Sequence, residues 1–565
     1  MNHQDLERYA PDLAPEEWSE RDRRYLEPFA TNLDGPVTVI HNLPPEIVGA
    51  LCSRASRASK SLLRVFLDEY VYPIADGEDP KLAAELDLVV DFLREHGFKN
   101  ILNNARAQKL YATWYAQYGD DSIGQVTGAH VVTRLSQVAM KEAEDQRIAL
   151  EPIEQSTRFV RLDQKVRGRY LYYVPWPDLE RLGLLGEYTA AMDMLFDTYA
   201  ALIPELTAWF AEKYPEEKPT VIEKKALDTL RGLLPMATQG QVAFRGNGQA
   251  YEYLIARNSH HELGELRWFA GALRAELDRE IPSLLLRLDK EESMHYQREL
   301  AGRRGRMRAI VRRFEADGTI PQFSNDSNFT VKLLECDSHA EEKIVAAALW
   351  NESHASWSAL QDAARAMTPE ERLEVVRAYV GDRQARWQKV GRALENAELF
   401  FEITMNIGAY RDLHRHRMHT QERQPFSMHH RYDLPVELVD AGLDGRFVAA
   451  LDSDRLSALF ERLEDENPLL AQYVVPLAYR VRFYQRQNLR QFFWETELRT
   501  IPEGHPDYRA VEQEKVRLVL AKLPAIGEFL KANMQQYVFA RRGQDERIAD
   551  KEKRVVEGLS GEGKK

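Results

Sequence analysis

The order of apolar runs, breakers and helical stretches in the first half of this chain recurs in the second half, and that recurrence limits the fold more than any single segment does. In the first half, Pro36-Val37-Thr38-Val39-Ile40-His41 reads as a short strand, and the prolines of Pro44-Pro45-Glu46 open a helix. A charged, aromatic and helical segment runs from about Asp68 to Gly119. Val131 to Leu135 is strand-like, and Ser136 to Arg147 is helical with Ser136 as the N-cap. Ala226 to Leu234 is helical and ends at Pro235. Gly246-Asn247-Gly248 then breaks the chain before an amphipathic helix, Ala250 to Glu280, closed by Pro282.

The second half follows suit, with strands at Phe329 to Leu334 and Leu399 to Met405, and helices at Ala340 to Trp350 and Ala409 to Arg417. Val474-Val475-Pro476 answers Leu233-Leu234-Pro235, Asn488 answers Asn247, and a helix from about Val511 closes at Pro524. Such landmarks indicate a duplicated domain of roughly 200–250 residues, longer than solenoid repeats. The reading is an extension over 1–32, a first copy over 33–317, a second over 328–543 and a charged tail over 544–565. The polar stretch from Ser324 to Asn328 serves as the join.

At 565 residues the chain exceeds one ordinary core. A hydrophobic content of 44% with 10% aromatics suits packed domains. A net charge of -13 argues against a general nucleic-acid binder. Cys52 and Cys336 are the only cysteines and lie far apart, so no disulfide framework is expected. The N-terminus lacks the basic and apolar regions of a signal peptide, and no apolar run is long enough to cross a bilayer, so a cytoplasmic protein is expected.

Tyr410 to Gln424 concentrates Arg411, His414, Arg415, His416, Arg417, His419 and Arg423 after an apolar strand and a breaker at Gly408. Like charges at neighbouring positions destabilise a free protein, and an anionic ligand such as phosphates or a dinucleotide would offset that cost. A solvated basic face is the plain alternative. A metal site built from His414, His416, His419, His429 and His430 is another, disfavoured by the flanking arginines and the lack of a nearby cysteine.

Arg415-His416-Arg417 resembles the R-H-R that opens the signature R-H-R-x-x-S-x-N-E-x-S-x-R-Y of flavin-dependent thymidylate synthases, and Glu154-Gln155-Ser156-Thr157-Arg158-Phe159 resembles its closing E-x-S-x-R-Y. The family's later N-A-R and L-R marks are similar to Asn488-Leu489-Arg490 and Leu498-Arg499, and more weakly to Asn247-Gly248-Gln249 and Ala256-Arg257. Where the first copy should read R-H-R it shows Gln146-Arg147-Ile148, and the second copy shows Thr420 to Pro425 in place of a clean E-x-S-x-R-Y. Each copy lacks what the other keeps.

The resemblance implies an α+β fold, two tandem copies of a mostly antiparallel sheet flanked by helices. It implies methylation of deoxyuridine monophosphate with FAD as cofactor and NADPH and methylenetetrahydrofolate as cosubstrates. The site would be a hybrid of both copies, in a homodimer that mimics the family's tetramer, with no membrane or nucleic-acid partner. Arg415, His416, Arg417 and Glu154 would hold the flavin. Gln155, Ser156, Arg158 and Arg490 would hold the nucleotide, and Arg499, or failing it Arg257, would stabilise the anionic pyrimidine. Guanidinium forks match phosphates in shape and charge, and a flavin supplies the hydride that no side chain can. Plain readings stand beside these: Ser156 as a turn residue, Arg257 as an ion-pairing arginine, His260-His261-Glu262 as structural, and Trp268 and Phe269 as core. Rival functions are a flavin or folate enzyme on another pyrimidine nucleotide, a non-catalytic nucleotide-binding homologue, and an RNA- or DNA-binding protein using the Arg415 segment.

Overall fold

The computed structural model describes residues 3–13, 16–102, 104–321, 328–539 and 553–554. It divides into two compact units, one of residues 1–204, 230–325 and 438–476, the other of 205–229, 326–437 and 477–565. Ser324 to Ser327, within the expected join, and the tail apart from 553–554 lie outside the described residues.

The first unit holds an antiparallel sheet of β1 (Val37–Ile40), β2 (Gly128–Ser136), β3 (Leu150–Glu154) and β4 (Gln239–Asn247) in the order β1-β2-β4-β3. Side chains alternate across a strand, and both faces here are covered. Val132 and Ala243 face a cluster of Leu26, Val48, Leu51, Leu62, Val65 and Phe66 from the N-terminal helices. The adjacent Phe244 packs its ring 6.4 Å from Phe269. Three helices matter for the site: α1 (Gln137–Glu144), α2 (Gly248–Asn258) and α3 (Gly264–Asp278). Ser136 is the N-cap of α1 as expected, accepting from the Ala139 amide at 3.0 Å. β4 escapes a reading by pattern because Gln-Gly-Gln and Arg-Gly-Asn carry little strand signal, yet it is a central strand. Gly128 is required opposite it, since a Cβ there would sit 2.0 Å from the Gly246 carbonyl.

The second unit repeats the sheet with β5 (Thr330–Cys336), β6 (Glu398–Asn406), β7 (Thr420–Arg423) and β8 (Arg480–Asn488) in the order β5-β6-β8-β7. Its corresponding helices are α4 (Ile407–Leu413), α5 (Leu489–Arg499) and α6 (Pro506–Leu520). β2 and β6 have nine residues each, as do β4 and β8; α2 and α5 have eleven each, and α3 and α6 fifteen. The α+β duplication expected from sequence is therefore present element for element.

Each unit borrows a segment from the other half of the chain. In the first unit, the 438–476 segment places Tyr473 Oη 2.8 Å from Glu265 and Arg462 2.6 Å from Glu187, and its Val475 carbonyl accepts from Met236 N at 2.9 Å. In the second unit, Lys225 pairs with Glu437, and the Tyr214 ring meets Phe539 at 4.9 Å.

Two of the element boundaries that depart from expectation bear on the site. The helix expected over Ala250 to Glu280 is two helices, broken where His261 Nδ1 accepts from Leu263 N at 3.1 Å. The helix expected over Ala409 to Arg417 ends at Leu413, so Arg415, His416 and Arg417 lie on the turn beyond it.

Candidate active site

In the second unit, Asn406 caps α4 by accepting from Ala409 N at 2.8 Å and donates through Nδ2 to Asp507 at the start of α6 at 2.7 Å. That cap fixes where α4 begins, and His416 follows three residues after its end at Leu413. His416 is buried, and its Nε2 accepts from Arg499 Nε at 2.7 Å. Its Nδ1 lies 3.4 Å from the Gln491 amide. Burial, reinforced by the Arg499 guanidinium, outweighs the charge of Glu495 and holds the ring well below its ordinary pKa. A neutral imidazole accepting at Nε2 carries its proton on Nδ1. Asp412 pairs with Arg415 and lies 4.0 Å from Arg499, so two of the cations share one carboxylate. The basic run is therefore neutralised partly from within.

Beneath His416 lies a polar cluster without exposed surface. The Glu495 carboxylate accepts from Gln485 at 2.8 and 3.0 Å and pairs with Lys515 at 3.3 Å, while Lys515 also reaches Glu512 at 3.1 Å. His419 Nδ1 sits 4.0 Å from Glu495, and its Nε2 is 2.8 Å from Gln421. Burial pushes Glu512 up, so it is protonated near neutrality. At Glu495 burial opposes ionisation, but the Lys515 ammonium, aided by the Gln485 hydrogen bonds, outweighs it and the carboxyl stays charged. In register, the first copy fills the Gln485, Glu495, Glu512 and Lys515 positions with Phe244, Leu254, Ala270 and Leu273. The charged cluster belongs to the second copy alone.

Arg490 pairs with Glu395 at 2.5 Å on a half-exposed surface, and Arg417 is partly exposed beside His416. In the first unit, Glu154 ends β3 and accepts from the buried Lys141 at 3.1 Å. Gln155 is held at both ends, donating to the Ala58 carbonyl at 2.8 Å and accepting from Gln241 N at 3.3 Å, so its side chain braces the loop. Ser156 N bonds the Ser56 carbonyl at 3.1 Å, and its Oγ accepts from Arg158 N at 3.2 Å. Arg158 is buried. The structure thus brings Arg415, His416 and Arg499 together in one unit and Glu154 to Arg158 together in the other.

Strand register decides which residues correspond. The fourth residues of β4 and β8, Val242 and Phe483, pair with Glu154 and Arg423. Counting on, Pro425 stands at the Ser156 position and Ser427 at the Arg158 position. The last residues of α2 and α5 are Asn258 and Arg499, which corrects the match of Arg257 with Arg499 by one residue. Arg257 instead donates to the Glu142 and Ala143 carbonyls at the end of α1. Counted from the caps Ser136 and Asn406, Gln146 rather than Arg147 takes the His416 position. The first copy then carries one extra residue before β3, accommodated at Arg147 and Ala149, both at positive φ.

A cavity of about 810 Å3 persists in the first unit beside Gln146, Ile148, Asn247 and Gln249. Its cation, Arg287, is committed to Glu252 and to Asp121 at 2.5 Å. Sequence reading missed the polar cluster, because Glu495, Glu512 and Lys515 look like surface residues on amphipathic helices. It also missed Arg231, a buried arginine whose second-copy counterpart, four residues before the matching proline, is Gln472. The metal reading gains no support: among the described residues, no three His, Cys, Asp or Glu side chains are placed to hold an ion. His261 faces Glu142 at 3.8 Å beside Arg304, which suits the structural reading.

The family model described as thymidylate synthase complementing protein matches residues 81–283 and again 332–525. The chain belongs to that family. A UPF0159 protein of Chlamydia pneumoniae is 35% identical over 526 residues, covering 91% of this chain and 95% of that protein. A UPF0159 protein of Thermoplasma acidophilum is 26% identical, covering 76% of this chain and 89% of that one. A flavin-dependent thymidylate synthase of Mycobacterium sp. (strain KMS) is 36% identical over 96 residues, 17% of this chain and 38% of its own. A solved UMP/dUMP methylase, PolB from Streptomyces cacaoi, overlaps 36% of this chain and 97% of its own at 18% identity and a TM-score of 0.28, too little to bear on the assignment. Of the residues whose motifs resemble the family's, His416, Arg490 and Arg499 fall in the second matched stretch and Glu154, Ser156 and Arg158 in the first.

Among the described residues, no helix is long and apolar enough to cross a membrane.

Proposed function

We propose that the chain catalyses the flavin-dependent methylation of deoxyuridine monophosphate to thymidylate, with methylenetetrahydrofolate as one-carbon donor and NADPH as reductant. The observation that carries this reading is reciprocal retention. At positions matched by strand register and helix caps, the second copy has His416, Arg490 and Arg499 where the first has Gln146, Gln249 and Asn258, and the first has Glu154, Ser156 and Arg158 where the second has Arg423, Pro425 and Ser427. Decay without selection would strip both copies without regard to each other. The similarity to a protein named flavin-dependent thymidylate synthase supports the choice of chemistry.

The donor set fits a dinucleotide cofactor. Arg415, Arg417 and Arg490 are fixed cations at or near the surface, and His416 is a neutral ring held in one tautomer by Arg499. FAD, when bound, supplies the hydride. Arg415 and Arg417 bind the cofactor's phosphate oxygens, and Arg490 exchanges Glu395 for the nucleotide phosphate. Arg499, braced by His416 and Asp412, is presented in a fixed orientation to stabilise negative charge on the pyrimidine, which preorganised cations do without reorganisation cost. Arg158 and Ser156 bind the nucleotide phosphate. The marks of both copies serve one catalytic centre, and two chains associate as a homodimer equivalent to the family tetramer.

The test is the visible absorption spectrum of the purified protein supplied with FAD, before and after deoxyuridine monophosphate. A bound-flavin spectrum that shifts with the nucleotide supports the reading. A protein that takes up no flavin refutes it and leaves the family membership as ancestry.

A further inference from the structure

The first unit contains a second cavity of about 500 Å3, within the size range of small-molecule sites. Arg134 on β2 lies directly opposite Gln241 on β4, and Gln239 is two residues along the same strand, so the three side chains share one face. All three line the cavity. Gln239 and Gln241 are almost wholly buried, and the Nε2 of each has no hydrogen-bond partner among the described residues. For Gln241 the amide orientation is settled, because its Oε1 accepts from Leu62 N at 3.0 Å. Arg134 forms no hydrogen bond or ion pair among the described residues, and burial lowers its pKa from the ordinary arginine value. Buried donors normally find acceptors, and a buried charge normally finds a counter-charge.

Glu16 acts on the partly buried Arg134 through its charge but forms no ion pair or hydrogen bond with it among the described residues. Asp12 pairs with Arg169 at 2.7 Å, Asp34 with Arg23 at 2.6 Å, and Glu16 with Arg64 at 3.3 Å. The mixed polar and apolar wall also carries three aromatic residues. Tyr170 and Tyr172 spend their hydroxyls on Asp197 and Asp193, and the Trp18 indole N–H goes to the Leu33 carbonyl, so these residues offer rings rather than polar groups. In the second copy the corresponding positions are Thr404, Arg480 and Arg482, and there the guanidiniums are satisfied: Arg482 donates to Thr404 at 3.4 Å and Arg480 pairs with Asp433 at 2.6 Å. The first copy has its guanidinium on the neighbouring strand, with no hydrogen-bond acceptor among the described residues.

We propose that this cavity binds a small organic anion, an oxyanion carried on a planar or aromatic body, with the anionic oxygens at Arg134, Gln239 and Gln241 and the body between the rings of Trp18, Tyr170 and Tyr172. The ligand head is a carboxylate or a phosphate monoester, both of which a guanidinium flanked by amide donors recognises. None of the residues assigned to flavin or nucleotide lines this cavity, although Gln241 adjoins their loop, its backbone N–H donating to Gln155 Oε1 at 3.3 Å.

The experiment is calorimetric titration of the full-length protein at constant ionic strength with two probes, benzoate and phenyl phosphate. The expected result is saturable binding of at least one probe at one site per chain, with the better probe identifying the head group. Affinity falls at least tenfold in Arg134→Met and in Gln239→Glu, which places a carboxylate where an amide donor stood. Arg158→Ala, in the proposed nucleotide set, binds the probe as the wild type does, so failure of the flavin reading leaves this result intact. Arg134→Met melts no lower than the wild type without probe, because the guanidinium has no partner to lose. Should that variant not fold, Arg134→Lys keeps the charge, loses the fork and weakens binding. The proposal is overturned if neither probe binds saturably, if binding survives Gln239→Glu and substitution of Arg134, or if deoxyuridine monophosphate displaces the probe in the wild type but not in Arg158→Ala.

Discussion

Replacing Lys515 by methionine isolates the energetics of the cluster under His416. The ammonium lies 3.3 Å from Glu495, 3.1 Å from Glu512 and 3.1 Å from Gln485 Oε1, and neither it nor the two carboxylates has any exposed side-chain surface. Because burial keeps Glu512 protonated, the operative ion pair is Lys515 with Glu495. Lys515→Met leaves a carboxylate that must stay charged without a cation or be neutralised. Breaking a buried pair by removing one partner costs about 3–5 kcal/mol. At about 2–4 °C per kcal/mol for a unit of this size, the first thermal transition at pH 7.5 should fall on the order of 10 °C. Glu495→Leu, Glu512→Leu and Lys515→Met together remove every charge while roughly preserving volume, as the apolar Leu254, Ala270 and Leu273 do in the first copy. That triple variant should melt within a few degrees of wild type or above it. Differential scanning calorimetry reads both. The deficit of the single variant should shrink below pH 4.5, where Glu495 is protonated in the unfolded chain as well. A single variant that melts with the wild type, or a triple variant as damaged as the single, refutes the argument.

His416→Ala should release flavin, read as the ratio of visible to 280 nm absorbance after gel filtration; an unchanged ratio contradicts its assignment. Arg158→Ala and Arg499→Ala should each lose roughly 1–3 kcal/mol of affinity for deoxyuridine monophosphate by titration, the range for hydrogen bonds to charged groups, and a loss confined to one of them contradicts the shared centre. Glu265 is raised to about 7 by burial, against the Ser136 and Tyr473 hydrogen bonds that lower it. Its native state binds more protons than the unfolded state between pH 4.5 and 7, so stability is full below 4.5 and declines across that window. Glu265→Gln should flatten this slope in pH-dependent melting curves, and an unaltered slope rejects it. Residues 1–317 expressed alone lack the 438–476 segment that completes their unit, and should be insoluble or loosely folded by circular dichroism until 328–565 is co-expressed.

The two copies have diverged in opposite chemical directions on one backbone. The second has a charged cluster under its histidine where the first has apolar residues. The first has kept the acidic-serine-arginine loop and carries neutral amides, Gln146 and Gln249, where the second has His416 and Arg490. A duplicated chain permits this, because a residue need survive only once to remain available to a shared centre.

The sequence by itself determined the duplication, the α+β class and the family, because breakers, caps and short motifs are local. Ser136 and Asn406 announce helix starts, and Arg415-His416-Arg417 and Glu154 to Phe159 are contiguous. It misjudged where matched residues lie by one position at Arg499 and at His416, since only strand pairing and helix caps fix a register that has absorbed an extra residue. β4 and β8 were invisible because central strands built from Gln, Gly and Arg owe their conformation to neighbours on both sides rather than to propensity. The exchange of 205–229 and 438–476 between units left no local mark either. The buried network of Glu495, Glu512 and Lys515, and the unpaired guanidinium of Arg134, were decided by tertiary structure alone. A charged side chain reads as surface until packing removes its water, and whether it then meets a partner depends on residues far away in the chain.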